Sequence, residues 1–401
     1  MTRRRTRYVP LSLTPVSLLV STMGRNVRCA ASLPVWPGTP PHVTTTVRSV
    51  TARAVLAPLD PPLQTASGEV PTAPLVLIDV TTSDGIVGKA YLFCYTPMVL
   101  PALTSLVEEL GAAVVGTSDA PRAVEADLRG KLRLLRPQGL ATMAISGIDM
   151  ALWDALAHRA GLPLVRVLGG EPRPVRAYGS LRRMAPDEVR TEAGQLAELG
   201  FDAYKVKVGS AGLARDREVI AALRQAVGPD ADLAVDYNQT LPVPEAIRRI
   251  HALAGENLLW VEEPTRADDA AGHARIREAV STPIQLGESW WGVAEMTASV
   301  TAGAGDHAMF DVARIGGVTG WLRAAPVADA AGLPVSSHFW PEISAALLAV
   351  TPGAFLLEYL DVAAGVLEAP ARVVDGAVVL PDEPGSGVDW DEDAVDRYRV
   401  R

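Results

Sequence analysis

Tyr204-Lys205-Val206-Lys207-Val208-Gly209, residues 204–209, alternates lysine with apolar residues and ends on glycine. In an extended strand, positions two apart share a face, so Lys205 and Lys207 project together. Two ammonium groups entering one space lower each other's pKa and favour a neutral amine, which turns a lysine into a base near neutral pH. The same alternation also suits two lysines on a solvated face. The residues on either side decide between these readings. Short apolar runs end at Ser180, Lys207, Asp236, Glu262, Glu288, Asp311, His338 and Glu358, between 20 and 29 residues apart, and each interval fits one strand plus one helix. Eight strands in series with helical segments between most of them predict an α/β fold built as a parallel barrel, whose C-terminal strand ends open on one face.

That face would gather otherwise isolated polar residues. Asp236, Glu262 and Glu288 end three successive strands and should converge. Three carboxylates brought together repel and do not stay ionised without a cation. An oxygen-only ligand set without His or Cys points to a hard ion with room for water and substrate, Mg²⁺ first and Mn²⁺ as a substitute. The alternative is that each acid caps the helix after its strand. Glu263 follows Glu262 directly and is expected to point away as a supporting acid. Asp311 and His338 end neighbouring strands, where a carboxylate beside an imidazole orients the ring and raises its basicity. A base at His338 across the pocket from Lys207, with a divalent ion between them, implies abstraction of a proton α to a carboxylate, the cations stabilising an enediolate.

A chain of 401 residues, 48% of them hydrophobic, exceeds the usual single-domain size. Its net charge of −9 argues against nonspecific nucleic-acid binding and against attraction to an acidic membrane. The partner expected is a small carboxylate substrate, met by local positive charge. Two cysteines, Cys29 and Cys94, make no disulfide framework, and a cytoplasmic location is expected. Residues 1–45 differ from the remainder: Arg3, Arg4, Arg5 and Arg7 precede an apolar run interrupted by Pro10 and Pro15, and no acid occurs before Asp60. This extension reads as a disordered tail, an upstream start or a targeting-like segment. Beyond it, nothing is read as long and apolar enough to span a membrane.

Residues 46–170 read as an α+β domain. Val47–Leu56 and Leu75–Thr82 are strand-like, and Ser83-Asp84-Gly85 makes a hairpin turn. Asp60 to Pro71, with three prolines and a glycine, reads as a loop able to fold over a site. Ile145, Ile148, Leu152 and Leu156 share a helical face, and Gly161 and Pro163 end that helix.

From about Thr46 to the C-terminus the chain resembles the enolase superfamily, in its mandelate racemase subgroup. The match is carried by Lys205-Val206-Lys207, Val235-Asp236-Tyr237-Asn238-Gln239, Trp260-Val261-Glu262-Glu263-Pro264, Leu286-Gly287-Glu288, Ile315-Gly316-Gly317-Val318-Thr319-Gly320-Trp321, Ser336-Ser337-His338-Phe339 and Leu357-Glu358. Thr72-Ala73-Pro74-Leu75-Val76-Leu77-Ile78-Asp79 and Ile148-Asp149-Met150-Ala151-Leu152-Trp153-Asp154 look like the same subgroup's capping domain. The resemblance implies a (β/α)7β modified TIM barrel over 171–365, an N-terminal α+β capping domain, and a C-terminal segment, 366–401, packed back on it. It implies Asp236, Glu262 and Glu288 as Mg²⁺ ligands, Lys207 and His338 as bases on opposite faces of the α-carbon, and Asp311 as the partner of His338. Lys205 would hold the substrate carboxylate and lower the pKa of Lys207. Glu358, as a protonated acid, would donate to the enediolate. Ser180 and Asn238 would be further polar contacts, and Arg314 stands where a lysine is common in the family. Such barrels assemble symmetrically, so a homo-oligomer is expected.

Two bases serve a racemase, and they serve an acid-sugar dehydratase equally well by acting as base and acid. Leu63, Val70 and Tyr95 match positions that cover an aromatic ring in the racemase, which favours racemisation of mandelate or a similar 2-hydroxy acid. Asp60, Glu69, Arg182 and Arg183 depart from that pattern and could bind hydroxyls, as an aldonate or aldarate dehydratase requires. A noncatalytic barrel has no physical need to hold five mutually perturbed groups together.

Overall fold

The computed structural model describes residues 44–65 and 68–400. The reading of residues 1–45 therefore lies outside the described residues, apart from Thr44 and Thr45.

Three antiparallel strands open the fold: β1 (Val47–Thr65), β2 (Gly68–Thr82) and β3 (Val87–Phe93), in the order β1-β2-β3. The segment expected as a loop from Asp60 to Pro71 is instead the outer end of the β1–β2 hairpin, with Leu63 opposite Val70 and Thr65 opposite Gly68. The prolines misled because they suit a loop. They are tolerated here because β1 is an edge strand and its register breaks between Pro58 and Leu63, where no ladder bond is demanded of Pro61 or Pro62.

Helices α1 (Leu100–Ala112), α2 (Pro121–Lys131), α3 (Leu140–Ala160) and α4 (Leu164–Val167) complete the capping domain. α3 was expected to show one apolar face, but residues all round it are buried, Thr142 to Ala155 without interruption. It is also long and apolar enough to pass for a membrane span, with mean hydropathy 1.3, which amends the expectation that no such segment exists. Here it is a core helix between the sheet and the barrel. Gly161, at φ 63, ends it with its amide on the carbonyls of Ala157 and His158.

The barrel strands are β4 (Val175–Ser180), β5 (Ala203–Lys207), β6 (Asp232–Asp236), β7 (Leu258–Glu262), β8 (Ile284–Leu286), β9 (His307–Asp311), β10 (Val335–His338) and β11 (Leu357–Tyr359). Between them run α5 (Pro186–Glu198), α6 (Leu213–Val227), α7 (Val243–Leu253), α8 (Ala270–Ala279), α9 (Val293–Thr301), α10 (Val312–Ile315) with α11 (Gly317–Ala330), and α12 (Pro341–Ala349). β4 to β10 pair in chain order, all parallel, and β11 pairs with β4. The Phe355 amide on the Val335 carbonyl (2.8 Å) and the Ser337 amide on the Leu356 carbonyl (3.2 Å) close the ring. Seven βα units and a last strand thus form the α/β barrel, capped by the antiparallel domain. Its interior is filled by Tyr178, Ala203, Ala234, Trp260, Met309 and Leu356, so the polar strand ends sit on a packed floor.

After the barrel, β12 (Arg372–Val374) and β13 (Ala377–Val379) form a hairpin whose second strand pairs antiparallel with β4, and α13 (Glu392–Tyr398) follows. This segment touches the capping sheet: the Trp390 indole donates to Asp79 (2.7 Å), and the Val400 amide to the Ala54 carbonyl (2.9 Å).

Cap and barrel are joined where α3 meets α11. Asp149 accepts from the Thr319 amide (2.9 Å) and hydroxyl (2.5 Å), and the Trp153 indole donates to the same hydroxyl (3.0 Å). Gly317 makes this approach possible: at φ +73, a Cβ there would lie 2.3 Å from an Asp149 carboxylate oxygen.

Candidate active site

Asp236 and Glu262 end adjacent strands in register, and Gln285 stands opposite Glu262 on the next. β8 stops at Leu286, two residues short of the expected end. Gly287, at φ +131, then turns the chain, with a Cβ excluded by the Trp290 ring at 2.6 Å, and delivers Glu288 to the same point. Ligand atoms of Asp236, Glu262 and Glu288 lie within 4.8 Å of one another, and all three residues are buried.

Each carboxylate is held from behind. Asp236 accepts from the amide and side chain of Asn238, both at 2.7 Å. Glu262 accepts through Oε2 from the Trp260 indole and the Gln285 amide, both at 3.0 Å, and through Oε1 from Lys205 at 2.5 Å. His338 Nε2 is 3.3 Å from Glu288 Oε2. Burial, with the neighbouring carboxylates, pushes Asp236 and Glu262 above the usual carboxylate range even though Lys205 opposes it. Glu263, expected to point away, is also buried and is raised by burial and by its proximity to Glu288 and Asp236, with the Gln239 amide donating to it at 2.8 Å. A buried site this rich in acids is short of positive charge, and its donors are oxygens alone. That fits a hard divalent cation, and Mg²⁺ is the cofactor.

The two lysines part company. Lys205 is 2% exposed, with its ammonium 2.5 Å from Glu262 and 2.8 Å from Glu358. Burial works to lower its pKa, but these carboxylates outweigh burial and hold it well above the ordinary lysine value. The expected mutual lowering by Lys207 is not what governs Lys205; two carboxylates at contact distance outweigh a second ammonium. Lys207, on the cavity wall, makes one longer contact, 3.4 Å to the Leu181 carbonyl. Glu358 lies on the other side of the Lys205 ammonium. Burial raises its pKa, but Lys205, His338 and Lys207 outweigh burial and bring it down to about 2, and it accepts from the Phe339 amide (3.1 Å).

His338 Nδ1 lies 2.8 Å from Asp311 Oδ2, and Asp311 Oδ1 accepts the amides of Ala313 (2.8 Å) and Arg314 (3.0 Å) at the start of α10. The carboxylate is thus anchored to backbone and orients the imidazole with Nε2 toward Glu288. Burial disfavours the imidazolium, but Glu288 and Asp311 outweigh it and raise the His338 pKa.

Above these strand ends lies a cavity of about 550 Å³, lined by Lys205, Lys207, Asp236, Asn238, Glu288, His338 and Glu358 below and by the cap above. Leu63, Val70, Phe93, Tyr95, Phe339 and Leu360 give it an apolar wall. Ser180 is not on that wall; it is buried beneath, and its hydroxyl has no hydrogen-bond partner among the described residues. Of the charged residues considered for hydroxyl binding, Arg182 is bound to Asp361 (2.5 Å) and the Pro61 carbonyl (3.4 Å), and Arg183 to Glu188 and Glu69. Asp60 is off the wall and Glu69 is on it. Phe93, Phe339 and Arg314 were not anticipated as wall residues. Phe93 closes a strand beside the predicted Tyr95, and Phe339 follows His338, so adjacency to named site residues was the available clue.

Residues 188–394 match the model of the enolase C-terminal domain-like family, and residues 47–169 match that of the mandelate racemase / muconate lactonizing enzyme N-terminal domain. A D-galactarolactone cycloisomerase from Agrobacterium fabrum is 33% identical over 368 residues, spanning 85% of this chain and 96% of its own. Among solved structures, an enolase from Bradyrhizobium complexed with magnesium and mandelic acid is 46% identical with TM-score 0.86, covering 90% of this chain and all of its own. An L-talarate dehydratase from Polaromonas sp. JS666, complexed with Mg and L-glucarate, is 27% identical with TM-score 0.81, covering 89% and 98%.

Proposed function

This chain belongs to the enolase superfamily, in its mandelate racemase/muconate lactonizing enzyme subgroup, and performs Mg²⁺-dependent abstraction of a proton α to a carboxylate; from that premise we propose that it racemises mandelate or a similar 2-hydroxy acid with an apolar substituent. The observation that carries this reading is the apolar wall of Leu63, Val70, Phe93, Phe339 and Leu360 facing two bases, while Arg182 and Arg183 are committed elsewhere. The mandelic acid bound by the Bradyrhizobium protein supports it.

Lys207 takes the α-proton from one face of the substrate, and His338, presented through Nε2, serves the other face. Asp311 holds His338 in that tautomer through the 2.8 Å bond to Nδ1. Mg²⁺ held by Asp236, Glu262 and Glu288 supplies positive charge against the charge that develops on the substrate carboxylate. Lys205, closed between Glu262 and Glu358, fixes the direction of both acids. The cap covers the charged floor, and the burial of these groups strengthens each of the interactions among them.

Both enantiomers of mandelate, incubated in heavy water with Mg²⁺, should exchange the α-proton and interconvert, and chelator should stop both. Absence of exchange with either enantiomer would sink the proposal. A second reading, dehydration or cycloisomerisation of a sugar acid, is favoured by the Agrobacterium relative and by Glu69, Asn238 and Gln239 on the same wall. Its dehydratase form requires a 2-keto product from an aldonate or aldarate, and its cycloisomerase form the isomerisation of a sugar-acid lactone; the 2-keto product is detectable with semicarbazide.

A further inference from the structure

Tyr95 was expected to serve the site only as an apolar cover, and its ring does line the cavity, tilted against Phe93 at 4.7 Å. Its hydroxyl, however, donates to Asp311 Oδ2 at 3.3 Å, the same oxygen that holds His338 Nδ1 at 2.8 Å. We propose that Tyr95 is a positioning residue for the His338 base, carried by the cap and completing the hydrogen-bond set that fixes Asp311 and, through it, the imidazole.

A carboxylate has about four acceptor directions. In Asp311, Oδ1 is filled by the amides of Ala313 and Arg314, and one direction of Oδ2 by His338. Besides His338, Oδ2 has among the described barrel residues only the Arg314 Nε near it, at 3.9 Å and beyond hydrogen-bond range. The Tyr95 hydroxyl fills the remaining direction and comes from a different domain. The Tyr95 side is itself fixed: the Arg314 guanidinium lies 4.5 Å from its ring centroid, and the Phe339 ring packs at 5.9 Å. Two residues after the end of β3, Tyr95 adopts φ 60, a left-handed conformation that bulky residues take only where the surroundings impose it. The base is then complete only when the cap is seated on the barrel.

This inference rests on the two-base reading, and the test separates the two. Lys207→Ala and His338→Asn first assign which enantiomer of mandelate each base deprotonates in heavy water. Tyr95→Phe, which keeps the ring and deletes the hydroxyl, should then lower the ratio of exchange at the His338 face to exchange at the Lys207 face about tenfold, the worth of one hydrogen bond. A loss shared equally by the two faces, or no loss at all, overturns the positioning role while leaving the two-base reading intact. Absence of exchange at both faces in the wild-type protein overturns the two-base reading and this inference with it. Circular dichroism and Mg²⁺ titration check that the variant is folded. If it is not, Tyr95→Met replaces it and must show the same face selectivity.

Discussion

On the floor of the cavity the side chains are placed by charge: Lys205 lies between Glu262 and Glu358, His338 between Asp311 and Glu288, all of them buried. In the roof they are placed by backbone. The β1–β2 hairpin sets Leu63 opposite Val70, the Gln64 amide donates to the Arg182 carbonyl (2.7 Å), and the Gln64 side chain accepts the Met184 amide (2.9 Å). Removing one member of the floor leaves a buried charge without its partner, which is costly. Trimming an apolar roof side chain such as Leu63 changes a volume and leaves the charges alone. Apart from the Tyr95 hydroxyl, which reaches down to Asp311, reaction type and substrate choice therefore sit on separable parts of the molecule.

The largest test of that division is Lys207→Ala. It should reduce α-proton exchange at the lysine face by about a thousandfold, in the range of general-base catalysis, with exchange of the other enantiomer persisting by NMR in heavy water. Next, Gln285→Leu removes a donor from Glu262 without touching the cavity. Mg²⁺ affinity by calorimetry should fall about 10- to 100-fold, and an unchanged affinity would mean that Glu262 needs no support from below. A roof change should act differently: Leu63→Ala should raise KM for mandelate about tenfold with a smaller change in kcat, and a reversed pattern would break the division outright. Smallest is Asp361→Asn, which weakens the partly exposed pair with Arg182 that ties the β4–α5 turn to the chain after β11. A Tm decrease of about 2 °C is expected, in line with a surface ion pair.

The floor is legible in the sequence because ionisable residues at the ends of apolar runs recur at barrel spacing, which groups Asp236, Glu262 and Glu288. What sequence cannot carry is the distance between charges. Lys205 and Lys207 are equivalent by alternation, yet among the described residues one contacts two carboxylates and the other none, and the raised pKa of Lys205 and the lowered pKa of Glu358 follow from the contacts Lys205 makes. The roof was misread at Asp60 to Pro71 because local composition signals a loop, while pairing with β2 depends on residues that local composition does not weigh. The Tyr95 hydroxyl was out of reach for a related reason: its partner, Asp311, is 216 residues away in the chain.

The most direct measurement compares kcat/KM for mandelate racemisation with that for dehydration of a panel of aldonates and aldarates in the same Mg²⁺ buffer. A roof lined by Leu63, Val70 and Phe93 should give turnover of both mandelate enantiomers and little or no 2-keto product from the sugar acids. Efficient dehydration of a sugar acid, with mandelate inert, would contradict the assignment of the apolar wall to the substrate.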